Sequence, residues 1–192
     1  MKICVYGASS DIIDKEFINQ GEVLGEKMAQ RGHSLIFGGG THGLMGAVAR
    51  GMSRGNGEII GVAPSFFNVD GILYEKCTDF IYTETMRERK QTMEELSDAF
   101  IMTPGGIGTF EEFFEILTLK QLARHNKPIA VLNTCGYFDD ITRLMTNAAE
   151  KNFMKPGTLD LYRFFTDCDE LLDYIENYNE VARDIFTLKN IK

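Results

Sequence analysis

The chain has no C-x-x-C pair. Its four cysteines, Cys4, Cys77, Cys135 and Cys168, stand far apart, and it has only three histidines. That scarcity signals neither a zinc site nor a disulfide framework, and the cysteines read as reduced core residues of a cytoplasmic protein. No apolar run approaches the roughly twenty residues a membrane span requires, and Lys2-Ile-Cys-Val-Tyr6 enters a strand with no charged-then-apolar leader before it. Positive charge is also short. A net charge of -8 and a pI near 4.9 argue against a nucleic-acid polymer as partner, which would need clustered Lys and Arg, but leave room for a small anionic ligand met by a few placed cations. Repeats, low-complexity tracts and linkers are missing as well, so residues 1–192 read as a single α/β domain long enough for one sizeable core.

Against that background one stretch stands out, Thr103-Pro-Gly-Gly-Ile-Gly-Thr-Phe-Glu-Glu112. The apolar run Ala99 to Met102 before it reads as a buried strand. Phe110, Phe113, Phe114 and Leu117 after it recur at helical spacing. Gly105, Gly106 and Gly108 therefore lie in a strand-to-helix turn, where bare backbone passes close to a ligand and a helix N-terminus offers unpaired N–H groups to an anion. This is a phosphate cradle in outline. A second reading is local: Thr109 followed three residues later by Glu112 has the spacing of a capping box, which would make Glu112 a helix cap.

Taken in order, the chain predicts a strand at 2–6, a helix at 14–31 closed by Gly32, a strand at 34–37 and a small-residue helix at 44–54 whose Gly46, Ala47 and Ala49 would pack closely on a sheet. A strand at 58–62, a loop at 63–76, a strand at 79–83 and a helix at 86–97 follow. After the cradle and its helix to about 123 come a strand at 127–132, a helix at 138–151, a strand at 162–165 and a helix at 169–178. The segment 179–192 has the pattern of either a short docking helix or a frayed tail. This alternation predicts a doubly wound, mostly parallel Rossmann-like sheet with helices on both faces. Ligands of such sheets sit outside the carboxyl ends of the strands, where 7–10, 38–43 and 104–109 would converge into a nucleotide-sized rim.

Gly38, Gly40 and Gly43 also match a dinucleotide fingerprint. The match is weak, because it follows the second strand and the acid about twenty residues on, Glu58, opens a strand instead of closing one. His42 reads as a turn residue and His33 as a helix-end residue, with His125 at a solvated helix end. On the helix before the cradle, Met86, Met93 and Leu96 form an apolar stripe, yet Arg89 and Lys90 fall on that same side. Either their stems snorkel along the core or both cations emerge at the rim to meet a phosphate or carboxylate.

Met86-Arg-Glu-Arg-Lys90 together with Pro104-Gly-Gly-Ile-Gly-Thr-Phe-Glu-Glu112 resembles the paired signature of the LOG (LONELY GUY) family, the cytokinin riboside 5'-monophosphate phosphoribohydrolases often mislabelled lysine decarboxylases. Gly38-Gly-Gly with Gly43-Leu-Met-Gly46, Gly61-Val-x-Pro64, Ser97-Asp-Ala-Phe100, Lys127-Pro and Gly136-Tyr137 add to the likeness, which covers roughly residues 1 to 155. It implies hydrolysis of the N-glycosidic bond of a nucleoside 5'-monophosphate such as AMP, with no cofactor and no metal. It also implies a homodimer. By the same resemblance Arg89 and Glu112 would be the catalytic pair. Lys90, Gly105, Gly106, Ile107, Gly108, Thr109, Phe110, Glu111 and Thr118 would line the substrate site, with Met86 from the signature and Ser9, Gly39 and Gly40 from the rim loops. The chain departs from the family pattern at Arg87, where a histidine is usual, at Asp70, the nearest acid to an expected glutamate, at Leu119, where tryptophan is common, and at Asp11. These changes are expected to touch base recognition more than the ribosyl chemistry. Two other readings stand beside the enzyme: a nucleotide-sensing module that keeps the cradle without turnover, and a lysine decarboxylase, for which no pyridoxal-phosphate lysine is evident.

Overall fold

In β1 (Lys2–Tyr6), Ile3 and Val5 point to one face and Cys4 and Tyr6 to the other, and all four are buried. A strand buried on both sides needs helices on both sides, and the chain supplies them. The computed structural model describes residues 1–179; the docking helix or frayed tail expected beyond Asn179 lies outside the described residues. After β1 come α1 (Lys15–Gln30), β2 (Ser34–Phe37), α2 (Gly43–Arg54), β3 (Ile59–Pro64), β4 (Asp79–Thr83), α3 (Met86–Leu96), β5 (Ala99–Met102), α4 (Ile107–Gln121), β6 (Ile129–Leu132), α5 (Asp139–Glu150), β7 (Arg163–Phe165) and α6 (Cys168–Glu176).

The seven strands form one sheet in the order β4-β3-β2-β1-β5-β6-β7, and every neighbouring pair is parallel. The chain winds outward from β1 to β4, crosses back to place β5 on the other side of β1, and winds outward again. The doubly wound α/β fold expected from the sequence is the one observed, and β1 and β5 flank its topological switch point. One core layer, with Leu24, Met28, Val48 and Leu171, packs beneath α1, α2 and α6. The opposite layer, with Met93, Phe113, Leu117 and Met145, packs beneath α3, α4 and α5.

Three local expectations change. β3 runs on to Pro64, paired with Thr83. The β2 register ends at Phe37 and Gly61, so the proline sits where only β4 remains beside it. β6 starts at Ile129 instead of 127, because side chains have claimed the Lys127 backbone: its N–H donates to His125 Nδ1 and its carbonyl accepts from Lys120 Nζ. His125 is half-buried, not solvated. Its Nε2 bonds the Ile116 carbonyl at 2.9 Å, and burial pushes its pKa down to about 4.

The small residues of α2 serve a helix contact more than a sheet contact. A β-carbon on Gly25 would lie 2.0 Å from the Val48 carbonyl oxygen, and one on Gly51 would lie 2.1 Å from that of Glu22. Glycine at both positions lets α1 and α2 approach backbone to backbone. Gly51→Ala must push the two helices apart and is expected to cost about 1–3 kcal/mol, read as a lower midpoint in urea denaturation. An unchanged midpoint would mean that this close crossing is not a constraint on the fold.

Candidate active site

The carboxyl ends of β1, β2 and β5 meet around a cavity of about 630 Å³ lined by Gly7, Ala8, Ser9, Gly38, Gly40 and His42 from the first two loops, by Met45 of α2, and by Gly106 to Thr109, Glu111 and Glu112 from the third loop and the start of α4. The three rim loops named from the sequence do converge. At β5 the exit is fixed by the Thr103 N–H and hydroxyl, both donating to the Tyr6 carbonyl. Gly105 is required by packing, since a β-carbon there would lie 2.1 Å from Thr109 Oγ1, whereas one on Gly106 or Gly108 would meet nothing within 4 Å. Packing does not explain these last two glycines. Both face the cavity, where a β-carbon would stand between the backbone and a ligand.

α4 begins three residues earlier than a capping box at Thr109 would require. Its N-cap is Gly106 and no side chain caps it, so Glu112 lies in the second turn and does not cap the helix. The first intrahelical bond runs from the Phe110 N–H to the Gly106 carbonyl, which leaves the N–H groups of the preceding turn without helical partners at the cavity wall. The capping box that does form belongs to α3: Thr85 Oγ1 accepts from the Glu88 N–H at 3.1 Å, and the Glu88 carboxylate accepts from the Thr85 N–H.

That box starts α3 so that Arg89 turns inward. Arg89 is buried at 7 % exposure and reaches Glu112, which is 9 % exposed. Arg89 Nη1 donates to Glu112 Oε1 at 2.9 Å and Nε to the Val62 carbonyl at 3.2 Å. Nη2 lies against Gly38, where a β-carbon would come within 2.1 Å of it. Burial raises the Glu112 pKa above the usual carboxylate value, and the facing guanidinium opposes that rise. Arg89 is therefore no snorkelling stem. Beneath the pair the Cys4 thiol is fully buried, and its pKa is pushed up to about 12.

Other expected site residues fall elsewhere. Lys90 binds Glu111 and, at 2.8 Å, Glu115; burial opposes its charge, but the two carboxylates hold its pKa above the ordinary lysine value. It opens onto a neighbouring cleft between α3 and α4, shared with Arg87, Leu119 and one side of Glu112. Phe110 points into the core against Phe138, because the helix turns it away from the cavity. Gly39 is buried in a left-handed turn (φ 76°) behind the rim, against Phe80. Thr118 lies three turns along α4, exposed and away from this cavity. Met86 lines the cavity with Arg89.

No sequence motif marks the loop residues of the cavity's apolar wall. Phe67, Ile72 and Leu73 come from the segment read as a plain loop at 63–76 and face the cavity with Met45, Met86 and Ile107. The loop is docked by main-chain bonds, Thr41 N–H to the Ile72 carbonyl at 2.9 Å and Tyr74 N–H to the Gly39 carbonyl at 2.8 Å. Five large apolar residues in a stretch without periodicity, Phe66, Phe67, Val69, Ile72 and Leu73, were the available signal. His42 braces the same loop, with Nδ1 on Asp11 at 2.5 Å and Nε2 on the Gly71 carbonyl at 3.1 Å. Among the described residues no cluster of His, Cys, Asp and Glu could hold a metal ion.

A buried ion pair is fragile to loss of one member. Glu112→Ala strands the Arg89 charge and is expected to cost about 3–5 kcal/mol, whereas Glu112→Gln keeps an acceptor for Nη1 and should cost less than half as much. Denaturation midpoints of the two variants check this, and equal losses would sink the pairing argument.

A family model described as possible lysine decarboxylase matches residues 45–175. A probable cytokinin riboside 5'-monophosphate phosphoribohydrolase of Oryza sativa subsp. japonica (LOGL5) is 33% identical over 98% of this chain and 76% of its own length. A cytokinin riboside 5'-monophosphate phosphoribohydrolase of Arabidopsis thaliana (LOG2) is 31% identical over 92% of this chain and 83% of its own. Among solved structures, TM1055 aligns with a TM-score of 0.72 at 20% identity, over 92% of this chain and 99% of its own. The molybdenum cofactor binding protein of Rippkaea orientalis aligns with a TM-score of 0.69 at 20% identity, over 91% and 94%. These two establish likeness of fold alone. With the model spanning more than half of the chain and relatives above 30% identity along nearly all of it, the chain belongs to the LOG family, whose curated members are the cytokinin riboside 5'-monophosphate phosphoribohydrolases.

Proposed function

We propose that this protein hydrolyses the N-glycosidic bond of a purine nucleoside 5'-monophosphate, with or without a substituent at N6, to free base and ribose 5-phosphate. The observation that carries the reading is a buried Arg89–Glu112 pair at one wall of a cavity whose neighbouring wall is the uncapped N-terminus of α4. The 5'-phosphate would sit on the N–H groups of Gly106 to Thr109, which fixes the ribose beside Glu112. Breaking the bond builds positive charge on the sugar. The Glu112 carboxylate would stabilise that charge and orient the attacking water, while Arg89 holds the carboxylate in place and presents Nη2 toward the cavity. The base would then lie along the apolar wall of Phe67, Ile72 and Leu73. A sensing module without turnover would have no use for a carboxylate kept buried and paired at the cavity edge. No helix among the described residues is long and apolar enough to cross a membrane, and the cysteines are unbridged, which supports a cytoplasmic protein. The same reading includes a homodimer, in which Thr118, exposed and away from its own cavity, would serve the site of a second copy. Light scattering of the eluted protein tests that arrangement.

Assay of released base and ribose 5-phosphate over a panel of nucleoside 5'-monophosphates tests the activity. AMP or N6-prenyl AMP should be cleaved and the matching nucleosides barely touched; equal turnover of both would remove the phosphate from the cradle. Glu112→Gln should lower turnover by roughly a hundredfold or more while nucleotide still binds. Arg89→Lys, which loses the planar fork, should lower it by orders of magnitude. The working form of Glu112 is the carboxylate, so kcat/KM should fall as pH drops through a pKa above the usual glutamate value of 4.5. That acid limb should disappear in Glu112→Gln, leaving only the ionisation of the substrate phosphate.

A further inference from the structure

Gly105, Gly106 and Gly108 leave the turn between β5 and α4 conformationally free, yet a site built from bare N–H groups binds an anion well only when those groups are already aimed. Two hydrogen bonds from outside the turn fix it. The Ala8 N–H donates to the Pro104 carbonyl at 3.0 Å, and the Tyr137 hydroxyl donates to the Gly105 carbonyl at 2.7 Å. Tyr137 lies on the exit loop of β6 and lines no part of the cavity. The loop is shaped to deliver it: Cys135 (φ 54°) and Gly136 (φ 71°) both take left-handed backbone. Asn133 Oδ1 accepts from the Phe138 N–H at 2.7 Å, closing the turn. The ring is then set edge-on between Phe17, at 5.9 Å, and Phe138, at 5.0 Å.

The peptide joining Gly105 to Gly106 is planar and trans, so its carbonyl and its N–H point in opposite directions. With the Gly105 oxygen drawn toward Tyr137, which is not among the cavity's lining residues, the Gly106 N–H points away from Tyr137. We propose that Tyr137 is a positioning residue for the 5'-phosphate: its hydroxyl locks the Gly105–Gly106 peptide in the orientation that presents the Gly106 N–H to the anion. This rests on the reading of the cradle as the phosphate site. Tyr137 touches neither the sugar nor the base in this arrangement, so its hydroxyl acts on ligands only through their phosphate.

Tyr137→Phe removes the hydroxyl and keeps the ring between Phe17 and Phe138. The experiment compares parent and variant for KM and kcat with AMP and for inhibition by ribose 5-phosphate and by adenosine, all below the lower of the two thermal midpoints so that only folded protein is read. The expected result is about a tenfold rise in KM and in the ribose 5-phosphate inhibition constant, with adenosine inhibition unchanged and kcat within about threefold. Equal weakening of adenosine and ribose 5-phosphate would make Tyr137 a general structural residue and overturn the proposal, as would no change in either. The parent alone tests the underlying reading: if it binds ribose 5-phosphate no better than ribose, the cradle is not a phosphate site and the proposal falls with it, before any variant is made.

Discussion

A charged pair held out of water is the constraint around which this site is arranged. Arg89 and Glu112 come from different helices on one face of the sheet and meet where neither is well solvated. Such a pair adds little to stability compared with apolar residues of the same volume, and it demands exact surroundings. Gly38 must lack a side chain for Nη2 to fit, the Val62 carbonyl, one residue past the last β2–β3 pair, must take Nε, and α4 must begin at Ile107 so that Glu112 arrives in its second turn. The residue that follows β2, a carbonyl of β3, the cap of α3 and the start of α4 are thus tied to one ion pair. A fold optimised for stability alone would fill this place with leucine. A carboxylate that is buried, paired and still open to a cavity is better explained by what it does to a ligand.

Topology puts the cavity beside that pair. Because β5 returns to the opposite side of β1 from β2, the loops leaving β1 and β5 diverge to opposite faces and leave a crevice at the carboxyl edge. α4 starts in this crevice with its dipole aimed into it, and the loop after β2 closes the side. The proposed chemistry needs a fixed anion and a placed carboxylate a few residues apart on one helix, which the first two turns of α4 would supply together.

Much of this was legible in the sequence because it rests on short-range rules. Alternating apolar runs and helical spacing specify the strands and helices, and three glycine loops following strands specify the rim. The register of α4 was less legible. Thr109 and Glu112 have the spacing of a capping box, but Gly106 wins the N-cap because Thr109 is drawn inward against Gly105 and Glu112 finds a buried cation. The apolar wall was hidden for a different reason. Phe67, Ile72 and Leu73 belong to no regular element, so no period marks them, and only main-chain bonds to 39–41 reveal that they face the cavity. Phe110 and Gly39 were assigned by pattern to the ligand and turn out to serve the core and a turn, since a motif fixes which residues are adjacent in sequence but not which way each one points.

The same distinction bears on the positions where this chain departs from its family's pattern. Arg87 and Leu119 do not face the cavity; they line the cleft between α3 and α4, with Lys90, Glu94 and Glu115. Asp70 lies exposed on the docked loop, and Asp11 accepts the Gly43 N–H at 2.7 Å and meets His42, bracing the rim from outside. Within one chain, then, the departures surround the cavity without lining it, and the residues that would meet phosphate and sugar are the ones that keep the pattern. Glu112 alone is common to the cavity and the cleft. Changes in the cleft can therefore alter the electrostatics around the carboxylate through Lys90, which lines the cleft and not the cavity.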